Sequence, residues 1–262
     1  MAESIKISIL LNSNRIENIK LFFSEYKRLA NDINNFEIII HFDTGDTEIK
    51  DYLDDIIKEK YLNIKYLDSL HGTYFEGHIA SNYSIPFISN SSQLIACYGD
   101  RILPQTEDWD LKLIEKINIY NDGIYRLCYS EYNIRSYSDI WEAGFAPSNI
   151  FFLSKKWLSL SGDLSPCFSL DSFIQCVSFY LTKHDNFNSK QINRDIVCND
   201  IEFSGYTPEE KSNEKERERV KGQIKHWNIL MSGKYQQEAK RRAMIIKANR
   251  IPGNANNESI NR

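Results

Sequence analysis

From residue 5 to residue 67 the chain runs through five segments whose hydrophobic period alternates between strand and helix, and this constrains the fold most tightly. IKISILL (5–11) is β-branched and apolar without turn residues, as a buried parallel strand requires. Asn12-Ser13-Asn14 supplies a turn and helix N-cap signal, after which Ile16, Ile19, Phe22, Phe23 and Tyr26 recur at helical spacing. FEIIIHF (36–42) is a second strand, closed by Asp43-Thr44-Gly45-Asp46. A helix through Ile49, Leu53, Ile56 and Ile57 follows, then the strand NIKYL (63–67). Such a βαβαβ order with short connections predicts a parallel sheet with right-handed crossovers.

The rest of the chain extends this pattern. Residues 76–88 read as a helix that Pro86 ends or kinks, and SQLIACY (92–98) as a fourth strand stopping at Gly99-Asp100. A helix opens near Asp108 and runs through Trp109, Leu111, Leu113, Ile114 and Ile117. Strands are expected at 124–129 and 149–153 and a helix at about 170–182. From Glu209 to Arg250 the sequence becomes charged and helix-favouring, with sparse apolar positions such as Val220, Ile224, Trp227, Leu230 and Met231. The expected organisation is an α/β domain over residues 1–208 and a basic helical C-terminal extension over 209–262.

Of 262 residues, 42% are hydrophobic and 13% aromatic, enough for a large core and against a disordered chain. The five cysteines are scattered, with no CxxC pair, which favours reduced thiols in a reducing compartment. The start MAESIKISILLNSNR lacks the long apolar core of a signal peptide, and no run approaches the ~20 apolar residues that span a bilayer. A cytoplasmic protein, at most peripheral to a membrane, is therefore expected. Charge is uneven: residues 211–250 hold twelve Lys and Arg against four Glu, whereas residues 1–210 carry a net −12. A basic amphipathic tail can contact an anionic membrane, hold an acidic partner, or clamp the acidic body of its own chain. GxGxxG, P-loop, GxSxG and zinc patterns are all missing, and nothing points to nucleic acid.

In an open parallel sheet, ligands bind beyond the carboxyl ends of the strands. Those positions hold Asn12 to Arg15 after the first strand, Asp43 and Asp46 after the second, and Asp100-Arg101 after the fourth. Arg and Asp side chains converging there can take a nucleotide and a divalent cation. Asp108-Trp109-Asp110, a literal Asp-x-Asp, falls at the start of an amphipathic helix and is read as capping.

ISILLNSNR, FEIIIHFDTGD, the segment with Asn82, LIACYGDRILPQTEDWDLKL and FAPSNIFFLSKKWLSLSGDLSPCFSLDSF together resemble GT-A glycosyltransferases, particularly the inverting family 2-like group. The resemblance covers about residues 5–205. It implies a GT-A, Rossmann-like fold: a mostly parallel central sheet flanked by helices. It also implies a nucleotide-diphosphate sugar donor and transfer to a glycan, lipid-linked or other hydroxyl acceptor. Asp100 matches the last carboxylate of the family's acidic motif, which holds Mn2+ or Mg2+ against the diphosphate. Here the motif reads Tyr98-Gly99-Asp100-Arg101, so its first acid is missing and Arg101 is left to supply charge to phosphate. Asp43 matches the carboxylate that holds the base edge, for which uracil is the expectation; Asn12, Asn14 and Arg15 would line the same pocket, with Asn82 beside it. Asp200 stands where a further metal ligand is expected. Asp171 matches the general base, with Glu142 in reserve; a helix cap is the alternative role for Asp171. Two other readings remain. One is a degenerate GT-A domain that binds nucleotide without turnover. The other is a nucleotidyltransferase, for which LLNSNRIEN lacks the usual Gly-rich basic loop.

Overall fold

Strand β1 (Ile7–Asn12) lies between β2 (Phe36–Asp43) and β4 (Leu94–Gly99), and β3 (Ile64–Ser69) extends the row beyond β2, all in parallel. The computed structural model describes residues 5–69, 80–131, 150–167, 170–183, 195–204, 229 and 232–250. Helix α1 (Ile16–Arg28) buries Ile19, Phe22, Phe23 and Tyr26 against this sheet, the stripe expected from their spacing. Helix α2 (Thr47–Lys58) buries Ile49, Leu53 and Ile56 and leaves Ile57 partly exposed at its edge. Beyond β4 come β5 (Leu103–Pro104), α3 (Trp109–Ile114), β6 (Arg126–Glu131), β7 (Ile150–Ser154), α4 (Lys155–Ser161), α5 (Leu170–Lys183), β8 (Asp195–Ser204) and α6 (Gly233–Ala248). The sheet order is β3-β2-β1-β4-β7-β6-β8-β5. β7 runs antiparallel to β4 and β6, and β5 antiparallel to β8. The other four ladders are parallel, so the sheet is mostly parallel, with its reversals confined to one half.

Two sequence expectations change in detail. The described part of the 76–88 segment is a 3-10 helix, Ser81–Phe87, that runs through Pro86 instead of ending at it. The fixed φ of proline lies inside the 3-10 range, and Ile88 N–H closes the turn on the Ile85 carbonyl at 3.1 Å. Asp108 does not cap α3 with its side chain; it stands in the left-handed region at φ 56. Asp110 is fully buried and receives the backbone N–H groups of Asn31 (2.7 Å) and Asp32 (3.1 Å) and the Asn35 amide (2.7 Å). The Asp-Trp-Asp segment is structural, as expected, but as an anchor for the 31–35 loop.

The amino end of the sheet is tied by one buried acid. Glu37 on β2 accepts from Ser8 (2.6 Å), Lys65 (2.7 Å) and both the backbone and hydroxyl of Ser89 (2.7 Å each). Burial pushes its carboxyl up, but the bonds from Lys65, Ser8 and Ser89 outweigh that and hold the pKa below its ordinary value.

Alternation along the strands sorts the core into two layers. Ile9, Leu11, Ile38, Ile40, Ala96 and Tyr98 pack with α1, α2 and Trp109 of α3. Leu10, Ile39, Ile95 and Cys97 pack with α4, α5 and α6. Ala239, Ala243 and Ile246 of α6 are within that second core, so residues 233–248 of the basic extension are bound into the body. The Lys240-Arg241-Arg242 cluster is split accordingly. Arg242 turns inward to Glu238 and Asp163 (2.8 Å each) and over the Phe173 ring at 4.9 Å, while Lys240 and Arg241 stay exposed.

Candidate active site at the carboxyl edge of the sheet

β1, β2 and β4 end in register: Asn12 stands opposite both His41 and Gly99, and Asp43 opposite Ser69. This brings the residues after each strand to one mouth, with a polar layer on either face of the sheet.

On the α1 face, Asp100 Oδ2 accepts from the Ser13 hydroxyl and from the Asn18 amide (3.1 Å). Ser13 also accepts the Arg15 backbone N–H at 3.2 Å, closing the turn that leads into α1. Arg15 occupies the N-cap position without a side-chain cap bond and is exposed at the mouth. Asn14 and Asp43 are bonded reciprocally across the ends of β1 and β2. Asp46 is taken up in capping α2, accepting from Ile49 N–H at 3.2 Å, and Gly45 at φ 97 permits that turn. Ser13 belongs to the Asn12–Arg15 turn singled out from sequence, whereas Asn18 is a site residue that the sequence reading missed. Asn18 lies one helical turn beyond Arg15, a spacing that placed it on the same end of α1.

On the α5 face, the Ser81 hydroxyl accepts from the Asn12 amide and from the Cys97 thiol (3.0 Å). Cys97 is pushed up to about 12, chiefly by burial; the Ser81 bond works the other way, and the negative charge of Asp171 adds to the rise. Asp171, in the first turn of α5, therefore lies within electrostatic reach of the end of β4. Ser172 donates to Asp171 Oδ1 at 3.4 Å. The other end of the Asn12 amide, Oδ1, is buried without a hydrogen bond among the described residues.

Asn82 is engaged away from the Asp100 cluster. Its amide donates to the Ser165 carbonyl (2.8 Å) and accepts from Leu164 N–H (2.9 Å). It clamps the loop between α4 and α5, and with Ser81 it ties that loop to the end of β1. Asp200 on β8 is paired with Lys116 at 2.5 Å. Glu142 lies outside the described residues. Of the aromatics near the strand ends, Tyr98 and Tyr129 are core residues and Tyr66 is partly buried, donating to Asp54 at 2.7 Å.

Among the described residues, no three of His, Cys, Asp and Glu converge as a ready-made metal cage. Asp100 still suits a hard cation of the kind that takes one or two carboxylates and completes its shell with substrate phosphates and water.

The parallel β3-β2-β1-β4 row, the antiparallel return through β7 and the polar mouth at the strand ends define the GT-A fold of glycosyltransferases. One solved structure of this fold is the mannosyltransferase PcManGT from Pyrobaculum calidifontis, in complex with GDP-Man and Mn2+. It superposes with a TM-score of 0.63 at 9% identity, over 93% of the present chain and 69% of that one. TarS from S. aureus matches with a TM-score of 0.53 at 13% identity, over 78% of this chain and 37% of that chain. TarS 1-349 in complex with UDP-GlcNAc gives 0.53 at 12% identity, over 80% and 61%. The chain thus spans less than two thirds of either TarS chain. No protein-family model and no curated protein matches the sequence.

Proposed function

We propose that the protein is a glycosyltransferase that uses a nucleotide-diphosphate sugar and transfers the sugar to a hydroxyl acceptor. The observation that carries this reading is the meeting of three strand ends in one hydrogen-bonded mouth: Asn14 with Asp43, Ser13 and Asn18 with Asp100, and Asn12 with Ser81. The nucleobase edge is held at Asp43, whose carboxylate accepts from a ring N–H, with uracil as the expected base. The diphosphate lies over the start of α1, where amide groups without a side-chain cap and the exposed Arg15 favour negative charge. Asp100 would hold Mn2+ or Mg2+ with Arg101 beside it; the ion, when bound, neutralises charge on the departing diphosphate. Asp171, on the opposite face of the sheet edge, takes the proton from the acceptor hydroxyl as its oxygen bonds to the anomeric carbon from the side opposite the departing nucleotide diphosphate, and this direct displacement gives inversion. Asp200 remains a candidate second ligand, and Glu142 the reserve base. That PcManGT and TarS were solved with nucleotide sugars supports the donor class.

The test is calorimetric titration of UDP, GDP and ADP, each with Mn2+ and with EDTA, followed by nucleotide-release assays on the sugars of whichever nucleotide binds. Affinity for a nucleoside diphosphate that rises with Mn2+ is expected. Failure of all three to bind overturns the reading. Binding with no release, across donors and acceptors, would instead identify a GT-A domain that has kept its pocket and lost turnover.

A further inference from the structure

Helix α6 has two unlike faces. The inner one is fixed by Ala239, Arg242, Ala243 and Ile246, all buried against α4 and α5. The outer one is formed by Lys234, Gln237, Lys240, Arg241, Met244, Lys247 and Ala248, all exposed, at positions that share one side of a helix with 3.6 residues per turn. Met244 sits in the middle of this stripe, with Lys240 and Arg241 one turn before it and Lys247 one turn after. It is 63% exposed, the most open of the large apolar side chains identified as exposed. Glu238, the sole acid of the helix, lies at the boundary and is held by Arg241 and Arg242.

We infer that this outer face is a docking ridge for an anionic lipid bilayer. The occupant is read from chemistry. A flat row of cations around a protruding thioether fits a surface that is negative at the headgroups and apolar just below them, whereas a soluble acidic ligand gains nothing from Met244. The charge layout agrees: residues 1–210 carry −12, whereas α6 holds five basic residues against the one acid Glu238, so an anionic bilayer attracts this helix and repels the body. The helix reaches the bilayer already folded on the body, and binding therefore requires no ordering of α6. This ridge is independent of the nucleotide reading, and donor binding is measurable without lipid.

The experiment is co-sedimentation of the full chain with vesicles of pure phosphatidylcholine and of phosphatidylcholine with one third phosphatidylglycerol, at low and high salt. Binding to the anionic vesicles alone, lost at high salt, is expected. Lys240→Gln with Lys247→Gln lowers it by about tenfold or more, as does Met244→Gln in part. Lys20→Gln with Lys58→Gln makes the same charge change on α1 and α2 and leaves binding unchanged. Circular dichroism melting confirms that each variant is folded. Equal binding to both vesicle types, no binding to anionic vesicles, or equal loss in the two double variants overturns the proposal.

Discussion

Asn14 and Asp43 are joined at both ends. The Asn14 amide donates to Asp43 Oδ2 at 2.7 Å, and the Asp43 backbone N–H returns to Asn14 Oδ1 at 2.8 Å. The carboxylate proposed to read the nucleobase is therefore oriented from the neighbouring strand end before a ligand arrives. Asn14→Ala removes this orientation from an exposed site, so a loss of UDP affinity of about fivefold is expected, near 1 kcal/mol, with no change in Tm. Titration of the variant at wild-type affinity would show that Asp43 needs no support from Asn14.

Asp100→Ala should remove the Mn2+-dependent part of nucleotide affinity, at least about tenfold. Asn18→Ala, which leaves the carboxylate in place without its amide partner, should cost less. Affinities in EDTA should agree among wild type and both variants. If Asp100→Ala retains the Mn2+ effect, the metal is held elsewhere.

Asp171→Asn preserves shape and the capacity to cap α5 while removing the base. Transfer should fall by roughly 10²–10⁴-fold with donor affinity nearly intact. Turnover at the wild-type rate would reduce Asp171 to a helix cap and move the test to Glu142.

Ser81→Ala breaks the junction between Asn12 and Cys97. Leaving the Asn12 amide and the thiol without their shared partner should destabilise the fold by roughly 1–3 kcal/mol and weaken donor binding several-fold. Ser81→Thr, which keeps the hydroxyl, should recover more donor affinity than Ser81→Ala. Equal affinity in the two variants would show that the hydroxyl does not position Asn12.

The Glu238 carboxyl is held down to about 2, first by its bond to Arg241 and then, against a smaller effect of burial, by Arg242. Because the folded-state pKa is depressed, its contribution to stability is complete above the ordinary carboxylate range and is lost as pH falls toward about 2. The Tm difference between wild type and Glu238→Gln should thus shrink between about pH 4.5 and pH 2. Arg242→Ala, which leaves two acids around a buried vacancy, should cost roughly 3 kcal/mol, or roughly 6–12 °C in Tm. A pH-independent Tm difference for Glu238→Gln would remove the ion pair from the account of α6 docking.

The βαβαβ start was legible because residues 5–67 carry two unambiguous periods, and Tyr26, Phe22 and Ile19 lie where helical spacing puts them. The positions of Asp43 and Asp100 followed from the ends of apolar runs. Less legible was what each polar residue touches. Asn82 and Asp200 stand out only through the family resemblance, and their partners, the 164–165 backbone and Lys116, are 82 or more positions away. Ser81 and Cys97 read as a small polar residue and a core thiol, and only the approach of the 3-10 helix to β4 gives them a shared bond. The antiparallel return of β7 was equally silent, since pairing direction leaves no mark on a five-residue apolar strand.

The two polar layers at the strand ends lie on opposite faces of a single sheet, one anchored to α1 and the other to α5. They share backbone at β1 and β4 but no described side chain. Mutational drift in one layer can therefore proceed while the other is conserved. On the proposed function, changes confined to the α5 side exchange the hydroxyl acceptor and leave the sugar donor unchanged. The reverse exchange falls to the residues around Asn18 and Asp100.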